Sequence, residues 1–229
     1  MISPQFFALI PAAGIGERSG AAVPKQYLPL AGRAMLRHVL DTFAASPIIT
    51  HTFVVVSADD GYIDQVAAGV PRCTILREGG ATRCESVLKG LIAMREQIRD
   101  QDWILVHDAA RPGLGIGMIG KLVAGLCDDA VGGLLALPIV DTLKRASDDS
   151  RVQDTVSRTA LWAAQTPQMF RYGLLRRALE QAPEATTDEA GAIEAMGLAP
   201  KLIEGSARNF KVTMPQDFAL AELYLKGLA

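Results

Sequence analysis

The stretch Pro11-Ala12-Ala13-Gly14-Ile15-Gly16-Glu17-Arg18, with Lys25 seven residues further on in Pro24-Lys25-Gln26, concentrates small residues and cations in one turn. Small side chains let backbone N–H groups close around a polyphosphate, and Arg18 and Lys25 carry the charge that neutralises it. A Walker loop would need Gly-Lys-Ser/Thr closing onto a helix, and the chain has no such triplet. A Rossmann fingerprint would need a third glycine where Ser19 stands and a ribose-binding acid near the end of the second strand. Asp59, in Ser57-Ala58-Asp59, could act as that acid, so a dinucleotide site stays open as an alternative.

Gly79-Gly80, between a strand-like run and a helical pattern, can bring backbone atoms against a base or ribose where side chains would obstruct. Ser86 falls one turn into that helix, close to the positive end of its dipole. Asp108 follows the apolar run Trp103–His107, at the carboxyl end of a strand, where open parallel sheets hold their ligands. A carboxylate there binds hydroxyls or a hydrated Mg²⁺; the alternative is that it caps the next turn. Lys211 lies between Phe210 and Val212 in a strand-like segment, which aims it at the opposite face from theirs. Thr166 and Thr187 offer hydroxyls, and Thr187 is expected to open a helix whose N–H groups favour anions. Asp141, Arg145 and Asp188 are secondary candidates. The histidines, His38, His51 and His107, have no triad setting, and His107 reads as structural.

These residues need elements to position them. Phe6–Pro11 reads as a buried strand, and Met35, Leu36, Val39, Leu40 and Phe43 as one face of a helix. Strands are expected at Thr52–Ser57, Cys73–Arg77, Trp103–His107 and Gly133–Pro138. The stripe Val87, Leu88, Leu91 and Ile92 and the run Ile116–Cys127 read as helices between them. Strands alternating with helices imply an α/β fold, a mostly parallel sheet covered on both faces. From Ile139 to Trp162, short apolar segments flank the polar stretch Arg145–Asp154, which predicts a two-stranded arm; a second subunit is the natural surface for it to pack on, a flap on a monomer the alternative. Helices follow at Tyr172–Gln181 and Thr187–Met196, the latter opened by a Thr186–Glu189 capping box, then a strand at Lys201–Glu204 and a last helix from Pro215.

The bulk numbers narrow the class. A chain of 229 residues, 49% hydrophobic and 21% charged, folds as one large domain with a substantial core. A net charge of -2 argues against a general nucleic-acid or anionic-membrane surface, so the useful cations must be clustered. Three cysteines without CxxC spacing suggest neither a disulfide framework nor a zinc site. Met1–Gln5 lacks a basic segment before a long apolar run, and no apolar stretch reaches a membrane span, so a cytoplasmic location is expected.

The string Pro11-Ala12-Ala13-Gly14 with Gly16, Arg18 and Pro24-Lys25-Gln26-Tyr27 resembles the nucleotidyltransferases of sugar and polyol phosphates. Lys-Gln-Tyr narrows the resemblance to the 2-C-methyl-D-erythritol 4-phosphate cytidylyltransferases of the non-mevalonate isoprenoid pathway. Blocks at Gly79–Arg83 with Ser86, His107–Pro112, Gln165–Gln168, Thr187–Ala190 and Asn209–Thr213 match in order and spacing, so the likeness spans nearly the whole chain. It implies a Rossmann-like sheet of the nucleotide-diphospho-sugar transferase type over residues 1–229, with the arm at 139–162 inserted and used in a homodimer.

The resemblance also implies roles. CTP would lie on Pro11, Ala12, Ala13, Gly14, Gly16 and Arg83, with its base and ribose at Gly80, Ala81 and Ser86. Position 81, acidic in many members, is alanine in this chain and retains only backbone contacts. Asp108, Arg111, Thr166, Thr187 and Lys211 would meet methylerythritol phosphate, joined by Thr142 and Arg158 of the neighbouring subunit. Arg18, Lys25 and Lys211 would stabilise the transferring phosphate, with Mg²⁺ held mainly by CTP rather than by a protein cage. A ribitol 5-phosphate cytidylyltransferase and a catalytically silent nucleotide-binding regulator are the rival readings; the second predicts lost cations, whereas Arg18, Lys25, Arg83 and Lys211 are present.

Overall fold

A computed structural model describes residues 3–14 and 23–227. The expected roles of Gly16 and Arg18 therefore lie outside the described residues. Strand β1 (Phe6–Pro11) runs through the centre of a seven-stranded sheet. Its residues alternate between the two faces: Ala8 and Ile10 enter one apolar cluster, Phe7 and Leu9 the other. On the first face lie α1 (Met35–Ala45) and α4 (Ile116–Leu126), which bury Leu36, Val39, Leu40 and Phe43 and Ile119, Leu122 and Leu126. On the second lie α3 (Arg83–Ala93), α5 (Tyr172–Gln181) and α6 (Glu189–Ala195), which bury Val87, Leu91, Leu175, Ala178 and Ile193.

The remaining strands of this sheet are β4 (His51–Val55), β5 (Cys73–Leu76), β6 (Trp103–Val106), β7 (Gly132–Pro138), β10 (Trp162–Arg171) and β11 (Lys201–Glu204). Their order is β11-β7-β10-β6-β1-β4-β5, parallel except that β10 runs antiparallel to both neighbours. The chain proceeds from β1 outward to β4 and β5, then returns to β6 on the other side of β1. Such a reversal opens a crevice beyond the carboxyl ends of the strands, the usual ligand position in open α/β sheets. A two-residue pair, β2 (Pro29–Leu30) with β3 (Arg33–Ala34), and the short helix α2 (Ile63–Ala67) fill the connections.

Between β7 and β10, strands β8 (Leu143–Ala146) and β9 (Val152–Val156) pair with each other as a separate two-stranded sheet. Strand β10 itself was not foreseen. Its Gln165-Thr166-Pro167 stretch interrupts the pairing with β7, and Pro167 has no N–H to donate to a ladder, so the periodicity of a strand is broken there.

Three expectations need correction. The capping box at Thr186 does not form: Asp188 is the N-cap of α6, accepting from Gly191 N at 2.9 Å. Glu189 cannot turn back to complete such a box because its carboxylate is drawn into the interior by Arg83. Thr187 consequently precedes the helix instead of opening it. The Asn209–Thr213 segment is no strand either; a 3₁₀ turn at Ala207–Asn209 leads into an extended run tied by Val212 N to Ala110 O at 2.8 Å. On α3, Ile92 is exposed, and the buried face contains Ser86 and Gly90. Gly90 lets the helix sit close to the sheet, since a Cβ there would lie 2.6 Å from Val55 Cγ2. The final helix, α7 (Pro215–Lys226), begins with Pro at its first turn as expected.

Strand β11 can pair with β7 only because position 133 lacks a side chain: a Cβ at Gly133 would lie 1.9 Å from Lys201 O. Gly133→Ala should therefore destabilise by about 1–3 kcal/mol through overpacking. A melting point lower by roughly 2–4 °C per kcal/mol is expected; an unchanged melting point would show that β11 moves aside without cost.

Candidate active site

The crevice beyond β1, β5 and β6 contains a cavity of about 310 Å³. Pro11, Ala12, Ala13, Gly14, Lys25, Gly80, Ala81, Arg83, Ser86, Asp108 and Lys211 all line it, so five separate sequence blocks converge. The first turn is held from behind. Ala12 N extends the β1–β4 ladder to Val55 O at 2.7 Å, Gln26 Nε2 donates to Ala12 O and Gly14 O at 2.8 and 3.0 Å, and Ser57 Oγ donates to Ala13 O at 3.0 Å. With these carbonyls tied to the protein, the turn is fixed in shape before any ligand arrives. Gly79 is required for close approach, since a Cβ there would sit 2.5 Å from Ala13 Cβ.

Ser86 is buried. Its hydroxyl donates to Thr82 O at 2.8 Å and accepts from Gly80 N at 3.0 Å, so it shapes the glycine turn it faces. Ala81 N donates to Glu85 Oε2 at 2.8 Å, which leaves the carbonyl as the backbone group that position 81 offers a ligand. Lys25 opens a 3₁₀ turn, and its Nζ donates to Val212 O at 2.6 Å, bridging that turn to the 209–213 run.

A second cavity of about 200 Å³ adjoins the first and is lined by Arg83, Asp108, Arg111, Thr166, Thr187 and Lys211, with Asp188 and Gln168 among its other walls. Arg83, Asp108 and Lys211 border both. The Asp108 carboxylate receives Arg83 Nε at 2.9 Å, Lys211 Nζ at 3.0 Å and Arg111 Nε at 3.4 Å. Burial raises its pKa, but Arg83, Lys211 and Arg111 outweigh burial and hold it well below the usual carboxylate range. Arg83 in turn places its two terminal nitrogens on Glu189 at 2.7 and 3.0 Å. Burial works against its charge, yet Glu189 and Asp108 raise its pKa and keep it protonated.

The family model for IspD, 2-C-methyl-D-erythritol 4-phosphate cytidylyltransferase, matches residues 6–227. This chain belongs to that family. It is 52% identical to the cytidylyltransferase of that name from Paraburkholderia phytofirmans, over 98% of this chain and 97% of the relative. The Nitrosospira multiformis protein is 54% identical over 97% and 98%. Among solved structures, a 4-diphosphocytidyl-2C-methyl-D-erythritol synthase superposes with a TM-score of 0.88 at 42% identity, covering 98% of this chain and all of that one. The Francisella tularensis cytidylyltransferase gives 0.82 at 32% identity over 96% and 99%.

Arg111 has less to offer a phosphate than its fork suggests: besides Asp108 it donates to Asn209 O at 2.8 Å and Ala164 O at 3.4 Å. Thr166 is buried; its Oγ1 accepts from Asp108 N at 3.0 Å and lies 2.9 Å from His107 Nδ1. His107 Nε2 lies 3.1 Å from the Arg111 carbonyl, which can only accept, so the proton is on Nε2 and Nδ1 accepts from Thr166. This relay positions Asp108. Thr142 and Arg158 line neither cavity of their own chain; both are exposed beside the β8–β9 hairpin, where Arg158 bonds Val140 O. Of the secondary candidates, Asp188 caps α6 and accepts from Gln168 Nε2 at 2.8 Å, Arg145 pairs with Asp154 within the hairpin, and Asp141 is exposed.

Gln26, Gln168 and Asn209 fall inside the matched blocks but were given no role of their own, and Glu189, expected only to close a capping box, is fully buried. The available signal was a carboxylate beside a predicted helix start in an otherwise apolar stripe, which reads on its own as surface.

His107 is wholly buried, and burial pushes its pKa down to about 4. Between that value and the unfolded value near 6.5, the unfolded chain binds a proton that the native state refuses, so stability falls as pH falls, by about 1.4 kcal/mol per pH unit. His51 is lowered too, chiefly by burial, and adds in the same direction. Urea unfolding of His107→Gln should lose about one proton's worth of that slope; an undiminished slope between pH 6.5 and 4 would place the buried titration elsewhere.

Proposed function

We propose that the two adjoining cavities carry out cytidylyl transfer, the larger taking CTP and the smaller 2-C-methyl-D-erythritol 4-phosphate. The products are 4-diphosphocytidyl-2-C-methyl-D-erythritol and pyrophosphate, in non-mevalonate isoprenoid precursor synthesis. The observation that carries this reading is the wall shared by both cavities, Arg83, Asp108 and Lys211, at which two phosphates would meet. An oxygen of the substrate phosphate, ionised near neutral pH, attacks the α-phosphorus of CTP. A new P–O bond forms, the bond to the β-phosphate oxygen breaks, and pyrophosphate leaves with the electron pair. No general base is required, which agrees with a His107 committed to neutral structural hydrogen bonds.

Catalysis then rests on in-line positioning and on cations matched to the developing charge. Lys25 and Lys211 fill that role, together with Arg18. The Pro11–Gly14 turn and Gly16 cradle the triphosphate; Gly80, Ala81 and Ser86 fit the base and ribose. Asp108 accepts from substrate hydroxyls, with Arg111, Thr166 and Thr187 around it. Among the described residues no three His, Cys, Asp or Glu converge on one point, and Asp108 is the carboxylate at both cavities. This donor set suits an Mg²⁺ that keeps waters and binds phosphate oxygens, neutralising charge on the nucleotide. The β8–β9 hairpin, whose vicinity exposes Val140, Val152 and Trp162, fits a homodimer in which Thr142 and Arg158 complete the partner's polyol-phosphate cavity. No helix among the described residues is long and apolar enough to cross a membrane, and a cytoplasmic location completes the reading.

Incubation with CTP, Mg²⁺ and methylerythritol phosphate should release pyrophosphate, and EDTA should abolish the release. Absence of pyrophosphate from folded protein would refute the transfer; release indifferent to EDTA would refute the metal. Lys25→Ala should fold normally yet lose roughly 10² to 10³ in turnover, or about 2.7–4 kcal/mol of transition-state stabilisation. Near-wild-type turnover of the folded variant would remove Lys25 from the mechanism.

A further inference from the structure

The residue that lines neither cavity yet governs their common wall is Glu189. It is fully buried at the first turn of α6, and both carboxylate oxygens are taken by the terminal nitrogens of Arg83, at 2.7 and 3.0 Å. The remaining edge of the Arg83 fork reaches Asp108 Oδ1 at 2.9 Å. One guanidinium is thus clamped between two carboxylates from different elements, α6 on one side and the end of β6 on the other. A buried ion pair of this kind contributes little net stability compared with an apolar contact of the same volume. A structural explanation is therefore weak, and the geometry favours a purpose at the site.

The charges near Asp108 define that purpose. Within the ion-paired group, Arg83, Arg111 and Lys211 stand against Asp108 and Glu189, which leaves a net single positive charge, while Asp188 is a further carboxylate on the wall of the smaller cavity. Arg83 borders the nucleotide cavity, so an unclamped guanidinium would swing onto the triphosphate, its preferred bidentate partner. Such a bond would form equally in the ground state and in the pyrophosphate product, and it would strengthen binding without lowering the barrier. It would also take from Asp108 its shortest strut.

We propose that Glu189 is a positioning residue: it clamps Arg83 so that this arginine holds Asp108 at the junction of the two cavities instead of binding phosphate. The inference rests on the cytidylyl-transfer reading of the cavities. In Glu189→Gln the shape is retained and the charge removed. Turnover should fall about tenfold or more while KM for CTP does not rise, and pyrophosphate should inhibit at about fivefold lower concentration, one unneutralised charge having been added beside the phosphates. A merely structural role would lower the melting point and leave turnover per folded molecule, KM and pyrophosphate inhibition unchanged, which would overturn the proposal. The double variant Glu189→Gln/Arg83→Gln leaves no unpaired charge in the interior and remains informative if the single variant does not fold. It should restore wild-type pyrophosphate inhibition, keep turnover low and raise KM for the polyol phosphate; wild-type turnover in this folded protein would equally sink the idea. Failure of the wild-type chain to release pyrophosphate would instead remove the transfer reading on which the proposal stands.

Discussion

One carboxylate organises this molecule's chemistry. Asp108 stands at the end of β6 with three cations on it, Arg83 and Lys211 within 3.0 Å and Arg111 at 3.4 Å. A single negative charge so surrounded would be costly to bury were it not fully paired, and each cation would be costly there without it. The mutual need ties together α3, the 209–213 run and the loop after β6, the last two also joined by Val212 N to Ala110 O. The cavity walls are in place because this group of charges is satisfied as a unit.

The sheet supplies the constraint that brings the group together. Because β4 and β6 flank β1 on opposite sides, the loops leaving β1 and β6 open into one crevice, and the loop after β5 folds over it. Glycine makes the approach close enough: Gly79 against Ala13, and Gly113, where a Cβ would sit 1.9 Å from Arg208 O, against the run that carries Lys211. Strand β10 adds the Thr166 hydroxyl from the antiparallel side, and through His107 it fixes the direction in which Asp108 leaves its strand. Rigid backbone and buried polar bonds thus precede the ligand, which is what electrostatic catalysis of phosphoryl chemistry requires.

The cations divide into two kinds. Arg83 and Arg111 are engaged by carboxylates and carbonyls and act as struts. Lys25, on the Val212 carbonyl, and Lys211, on the Asp108 carboxylate, are engaged too but on flexible stems; both border the larger cavity, and Lys211, with 45% of its side chain exposed, borders the smaller as well. A fork with five donors in fixed geometry suits the first task and a compact ammonium the second. The number of cations at the site therefore overstates the positive charge left there, since Asp108 and Glu189 offset part of it.

Much of this was legible in the chain alone. Local patterns suffice for strands such as Phe6–Pro11, for α1 and α5, and for the small-residue turn, because apolar periodicity and backbone freedom are properties of neighbouring residues. The convergence of the blocks at 11–14, 80–86, 108–111 and 211 was readable as well, through their resemblance to a family. Strand β10 was not, because Pro167 and the polar Gln165 and Gln168 disguise a buried strand whose polar groups find partners far away in sequence, at Ser206 and Asp188. Nor was Glu189. A carboxylate's burial depends on whether a guanidinium 106 residues distant reaches it, and only the packed sheet brings α3 and α6 together. Residue type and spacing determined which chemistry was available; tertiary structure decided which charges face the ligand and which face each other, since pairing of buried charges is a property of distance in space and not along the chain.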